Sequence, residues 1–167
     1  MGRDTERFSS SPERVLLPSR KAFFVPRIMF HREKIEYKDL NSRAQENYNY
    51  HKLSAVLADY GYTTLRLSDD WQSADCIAVH RDGSSIKIQL KGRFVLNKDY
   101  MGKDLWVSFP AKNHGGWYLY PHDELIEELR NNRATFKFFD WFENEGAYHV
   151  ASLSSALSTL MQRYKIS

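Results

Sequence analysis

Between residues 41 and 61 the apolar positions Leu53, Val56, Leu57 and Tyr60 recur at intervals of one, three and four, the period of a helix that lays one stripe against a core. Asn41 or Ser42 can cap its first turn with a side-chain oxygen, and Gly61 supplies the residue on which such a helix ends. The period then shortens. Segments 62–67, 76–80 and 85–91 read as strands, and Asp82-Gly83 between the last two is a hairpin signal. Farther on, 105–109 and 117–120 read as strands, and Pro121 opens a short helix with Asp123 and Glu124 in its first turn, where the helix dipole favours acids. Phe136, Phe138, Phe139, Trp141 and Phe142 crowd a stretch, 135–150, that is open to helix or strand, with 148–151 extended. Leu153, Ala156, Leu157, Leu160, Met161 and Tyr164 trace one face of a C-terminal amphipathic helix. These elements predict an α/β fold with a central mixed sheet of four to five strands flanked by helices.

The stretch before residue 40 behaves differently. Ser9-Ser10-Ser11-Pro12, Pro18 and many charges mark residues 1–20 as poorly ordered, and 21–39 mix Phe23, Phe24, Val25, Ile28, Met29 and Phe30 with Pro26 and charge. The expected organisation is an N-terminal arm, partly flexible, over 1–39 and one domain over 40–167, which suits a chain of 167 residues. The composition, 42% hydrophobic and 27% charged, is that of a soluble globular protein. Cys76 is the single cysteine, so intramolecular disulfides and cysteine-based zinc sites are excluded and a cytoplasmic setting is expected. No apolar run suits a membrane span. A net charge of +3 and a pI near 8.9 are compatible with a polyanionic partner without requiring one.

Candidate chemistry gathers in Ser85-Ile86-Lys87-Ile88-Gln89-Leu90-Lys91-Gly92, where Ile86, Ile88 and Leu90 alternate with Lys87, Gln89 and Lys91, so one set packs and the other reaches outward. Asp75 stands at the mouth of the preceding strand, and the hairpin carries it toward Gln89 and Lys91. Phosphodiester hydrolysis needs a hard cation, an activated water and a group favouring that water's hydroxide form. Asp75 can offer Mg²⁺ a carboxylate, Gln89 an amide oxygen, and Lys91 a charge beside the attacking water. Glu46 falls on the stripe of Tyr50, Leu53 and Leu57, an acid on a buried side that calls for Lys91 or a metal-bound water as partner. Register matters here: a two-residue Asp82-Gly83 loop would set Asp75 opposite Leu90, on the wrong side. A three-residue loop, a bulge, or a bend at Ala74-Asp75 would restore it.

The order helix Glu46, Asp75 followed by apolar residues, then Gln89-Leu90-Lys91-Gly92 resembles the PD-(D/E)XK, or restriction-endonuclease-like, nuclease superfamily over residues 40–120, and most of all its small Gln-x-Lys variants, which include homing endonucleases. The resemblance implies a Mg²⁺-dependent DNA endonuclease, with Mn²⁺ as a substitute, whose catalytic residues are Glu46, Asp75, Gln89 and Lys91 and whose metal ligands are Asp75, Gln89 and Glu46. It implies double-stranded DNA as partner, no membrane, and a homo-oligomer as a reasonable assembly. Ala74 stands where the family has Pro, and Gln89 where it usually has Asp or Glu; a neutral ligand holds a divalent cation more weakly. A noncatalytic nucleic-acid-binding module and an assembly subunit therefore stay as alternatives.

Basic residues near the motif, Arg93 first and then Arg43, Lys98, Lys103 and Lys112, are candidates for phosphate contacts, though a solvated surface is the better account of any single one. His114 and His122 show no metal-ligand spacing and suit a loop and a helix start. The aromatic cluster around Trp141 suits a core or subunit contact better than base stacking.

Overall fold

The computed structural model describes residues 31–111 and 115–167. Residues 1–30, most of the expected arm, lie outside it, as do Lys112 and His114. Residues 31–34 belong to an N-terminal unit, Met1–Lys34, and hold no helix or strand. Everything below concerns the second unit, Ile35–Ser167.

Helix α1 (Ser42–Asp59) starts where Asn41 accepts a hydrogen bond from the Ala44 amide at 2.9 Å, and it ends through Gly61, whose φ of 81° is the left-handed conformation expected there. Asn49, Leu53 and Leu57 are its buried residues. The two leucines pack on Cys76, Ala78, Ile88, Trp117 and Leu119, each burial contributing about 2–3 kcal/mol relative to exposure.

Strands β1 (Tyr62–Trp71), β2 (Ala74–His80) and β3 (Ser85–Leu90) form an antiparallel meander; β4 (Phe94–Asn97) leaves the sheet, and β5 (Leu105–Pro110) returns parallel to β3. β6 (Trp117–Pro121) pairs antiparallel with β5 and with β8 (Lys165–Ile166). The sheet is thus mixed, in the order β1-β2-β3-β5-β6-β8, with six strands rather than the expected four to five. The addition is β8, whose two residues are too few to show a period and which exists only because β6 offers it an edge. The extended stretch near 148 does not join this sheet: β7 (Ala147–Val150) pairs with β4 in a separate ribbon.

Helices α2 (His122–Asn131), α3 (Phe138–Glu145) and α4 (Ser155–Met161) supply the second layer. The stretch open between helix and strand resolves into α3, stopped by Gly146 at φ 82°, followed by β7. Phe139 and Phe142 point inward, joining Leu125, Ile126, Leu129, Leu157 and Met161 over Val107, Phe109 and Tyr120 of the sheet. Trp141 is half exposed, edge-on to Tyr148. The C-terminal apolar face is split, α4 running to Met161 and a 3-10 turn, Gln162–Tyr164, completing it. Among the described residues no helix is long and apolar enough to cross a membrane.

Candidate active site

The β2–β3 ladder pairs Cys76 with Ile88 and Val79 with Ser85, a register that leaves Arg81-Asp82-Gly83 as a three-residue loop. Asp82 accepts from the Ser84 amide (2.8 Å) and hydroxyl (2.7 Å), which with the nearby His80 holds its carboxyl well below the usual range, and Gly83 takes φ 93°. One residue more in the loop moves Asp75 from Leu90 to Gln89. Gln89 Nε2 donates to Asp75 Oδ2, and the Leu90 amide donates to the same oxygen at 2.7 Å.

Gln89 is 8% exposed, which corrects the expectation that its side reaches outward. β3 is an interior strand between β2 and β5, and Gln89 pairs with buried Val107 on the face that α2, α3 and α4 cover. A solvated edge-strand face is thereby excluded for Gln89.

Opposite Asp75 the β1–β2 ladder breaks: Arg66 pairs with Cys76, but the next pair is Trp71 with Ala74, so four residues of β1 span one of β2. The bulge opens a cleft of about 450 Å³ whose lining includes Arg43, Glu46, Arg66, Asp69 and Asp75. The turn closing β1–β2 places Gln72 at φ 56° and Ser73 at φ 67°, a conformation usually left to Asn and Gly. It is held from outside. Lys87 Nζ donates to Gln72 Oε1 at 2.9 Å and to the Lys103 carbonyl, and Lys103 Nζ donates to Ser73 Oγ at 2.9 Å.

Glu46 reaches the cleft, yet its side chain is 44% exposed and its partners are Arg66 and, at 3.5 Å, Arg43. The expected buried acid satisfied by Lys91 is therefore corrected. α1 packs on the Ile88 face, opposite Gln89, and its Arg43 and Glu46 line the cleft with Asp75 beside the break in the β1–β2 ladder; Arg66 also bonds Asn47 and lies 5.3 Å from the Tyr50 ring centre. Lys91 continues the strand, its amide donating to the Ser108 carbonyl at 2.8 Å. Its ammonium lies 5.7 Å from the Tyr100 ring centre and lines an adjoining pocket with Tyr37, Gln45 and Arg93.

The structure thus joins Asp75 to Gln89 by a hydrogen bond, sets Glu46 in the cleft with Asp75, and keeps Lys91 and Arg93 next door. Arg43 lines the cleft. Lys98 instead donates from Nζ to the Glu143 carbonyl near the end of α3. Arg66, Asp69 and Lys87 escaped the sequence reading. The one available signal was that Arg66 shares the strand parity of Tyr62 and Thr64, the side α1 covers. Nearby, burial and the Asp75 charge push the Cys76 thiol up to about 12, which makes it inert. His122 is fully buried and stays neutral: burial lowers its pKa, Nδ1 lies 3.2 Å from Asp123 Oδ1, and Nε2 accepts from the Asn97 amide at 3.3 Å.

No protein-family profile matches the sequence, and no curated protein matches it. Among solved structures, Hjc, a Holliday junction resolvase from the archaeal hyperthermophile Archaeoglobus fulgidus, shares 14% identity, covering 42% of this chain and 74% of its own at a TM-score of 0.35. The bacterial homing endonuclease I-Ssp6803I shares 14% identity, covering 74% of this chain and 94% of its own at a TM-score of 0.41. Likeness this slight carries no argument about chemistry.

Proposed function

We propose that the chain is a Mg²⁺-dependent endonuclease that hydrolyses DNA phosphodiester bonds, as its resemblance to the PD-(D/E)XK superfamily implies. The observation that supports this most is the β2–β3 register: it sets Asp75 against Gln89, and Asp75 lines a polar cleft with Glu46. Mg²⁺ takes one or two carboxylates and completes its shell with water and phosphate. Asp75 and Gln89 fit that demand, with Mn²⁺ as a substitute, because rotation of the Gln89 amide exchanges its N–H donor for an oxygen ligand. Glu46 is the third candidate ligand. The cation would neutralise charge that develops on the scissile phosphate. Lys91 orients the attacking water, Arg43 and Arg93 hold neighbouring phosphates, and Arg66 fixes Glu46 at the cleft. Duplex DNA is the preferred substrate by resemblance alone, and a homo-oligomer would supply one site for each strand.

A second reading has an observation of its own. Gln89 stands where the family usually has an acid and turns its N–H onto Asp75, the arrangement of a structural pair, which favours a noncatalytic nucleic-acid-binding module. Cleavage of linear, supercoiled, branched and single-stranded substrates with Mg²⁺ separates the two. Wild type should cut, and Asp75→Ala and Lys91→Ala should each lose about a thousand-fold or more in rate. Binding without cutting, unchanged in either variant, overturns catalysis.

A further inference from the structure

A second pocket opens beside the Lys91 pocket, sharing Tyr37 and Gly92 with it. It measures about 410 Å³ and is lined further by Tyr48, Asn49, Lys52 and Trp117. Its walls are aromatic. Tyr37 and Tyr48 stand edge-on with ring centres 5.4 Å apart, and they are 38% and 40% exposed although both sit against the folded unit. Trp117 is 5% exposed, anchored in the core beneath. Among the described residues Lys52 is the one charged residue lining it, and no acid does; its ammonium is 5.5 Å from the Tyr48 ring centre. Asn49 is 8% exposed, and its Nδ2 donates to the Tyr37 hydroxyl at 2.9 Å, while its Oδ1 accepts from no described residue.

We infer that this pocket binds one unpaired nucleobase of a nucleic-acid strand whose phosphates run past Lys91. The inference rests on the nuclease reading for the class of ligand and adds the form of the substrate. An aromatic wall takes the face of any base, a cation beside it takes the flanking phosphate, and an amide within reach takes a polar edge. A paired base cannot enter, because both its faces are covered in the duplex. A wholly apolar ligand would leave Lys52 and Asn49 unused, and a small anion would not need the rings. The substrate this arrangement fits is a duplex carrying a bulged, mismatched or single-stranded nucleotide next to the cleavage position.

The test uses the full chain in EDTA, so that nothing is cut, with oligonucleotides carrying 2-aminopurine at a bulged position, whose fluorescence falls when the base stacks. Wild type should bind the bulged duplex about ten-fold more tightly than the intact one and quench its signal. Tyr48→Ala should remove both effects, and Tyr48→Phe should restore them, which shows that the fold is intact. Cleavage with Mg²⁺ is measured on the same substrates. Equal affinity for the two duplexes, untouched by Tyr48→Ala in a protein that still cuts, overturns the base pocket and leaves the nuclease reading standing. Tyr48-dependent quenching without cutting supports the pocket and overturns the nuclease. Binding of neither duplex overturns both.

Discussion

The two turns that flank β2 reach the same end by opposite means. At the β2–β3 turn the local sequence suffices: Asp82 folds its carboxylate onto Ser84, and Gly83 accepts φ 93° without penalty. At the β1–β2 turn Gln72 and Ser73 both take positive φ with side chains that resist it, and Lys87 and Lys103 hold them there from the neighbouring strand and loop. Asp75 follows that second turn by two residues. Under the nuclease reading Asp75 is a metal ligand, and a turn held by tertiary contacts beside it suits a position that matters more than local stability.

The difference can be broken most forcefully at Lys87. Lys87→Met keeps the length of the side chain and its packing near Trp71 but drops the hold on Gln72. Under the nuclease reading Lys87 acts as a positioning residue, so single-turnover cleavage should fall about a hundred-fold with DNA affinity unchanged. A parallel loss of affinity would refute that role.

Gly83→Ala should cost about 1–2 kcal/mol in urea unfolding. A methyl there meets nothing within 4 Å, so the whole cost is backbone conformation. The double substitution Gln72→Asn, Ser73→Gly should do the reverse, adding about 1 kcal/mol while slowing cleavage, because a relaxed turn no longer engages Lys87 and Lys103. Greater stability with full cleavage would show that the outside hold is idle.

The smallest effect is at Asp82. Its folded carboxyl lies below its ordinary value of 3.8, so as pH falls the unfolded chain takes up the proton first. Its contribution is complete above about pH 5 and is lost as pH falls through 3.8 and below. Full exposure and solvent screening keep it small. Asp82→Ala should flatten acid unfolding in that window, read by circular dichroism, with no change near neutrality.

Where patterns are local, the sequence was legible. The Asn41 cap, the Leu53 and Leu57 stripe and the Gly61 stop together specify α1, and strict alternation in β3 puts Lys87 and Gln89 on one side and Ile86, Ile88 and Leu90 on the other. Counting residues against the side on which Asp75 must lie left three ways to reach Gln89, a three-residue loop, a bulge or a bend at Ala74-Asp75, and the structure takes the first. Residues such as Phe139 and Phe142 escaped because a dense aromatic run has no period; packing on the sheet decides that it coils.

The sequence by itself therefore determined which residues share a strand or a helix face, since backbone geometry sets those periods within a few residues. Tertiary structure decided what each face meets. Gln89 is buried because β5 pairs beside it and a helical layer covers it, Glu46 answers to Arg66 because α1 lies on the other side of the sheet, and the cleft exists because β1 bulges opposite Asp75. Those outcomes depend on partners tens of residues away, and no local period encodes them.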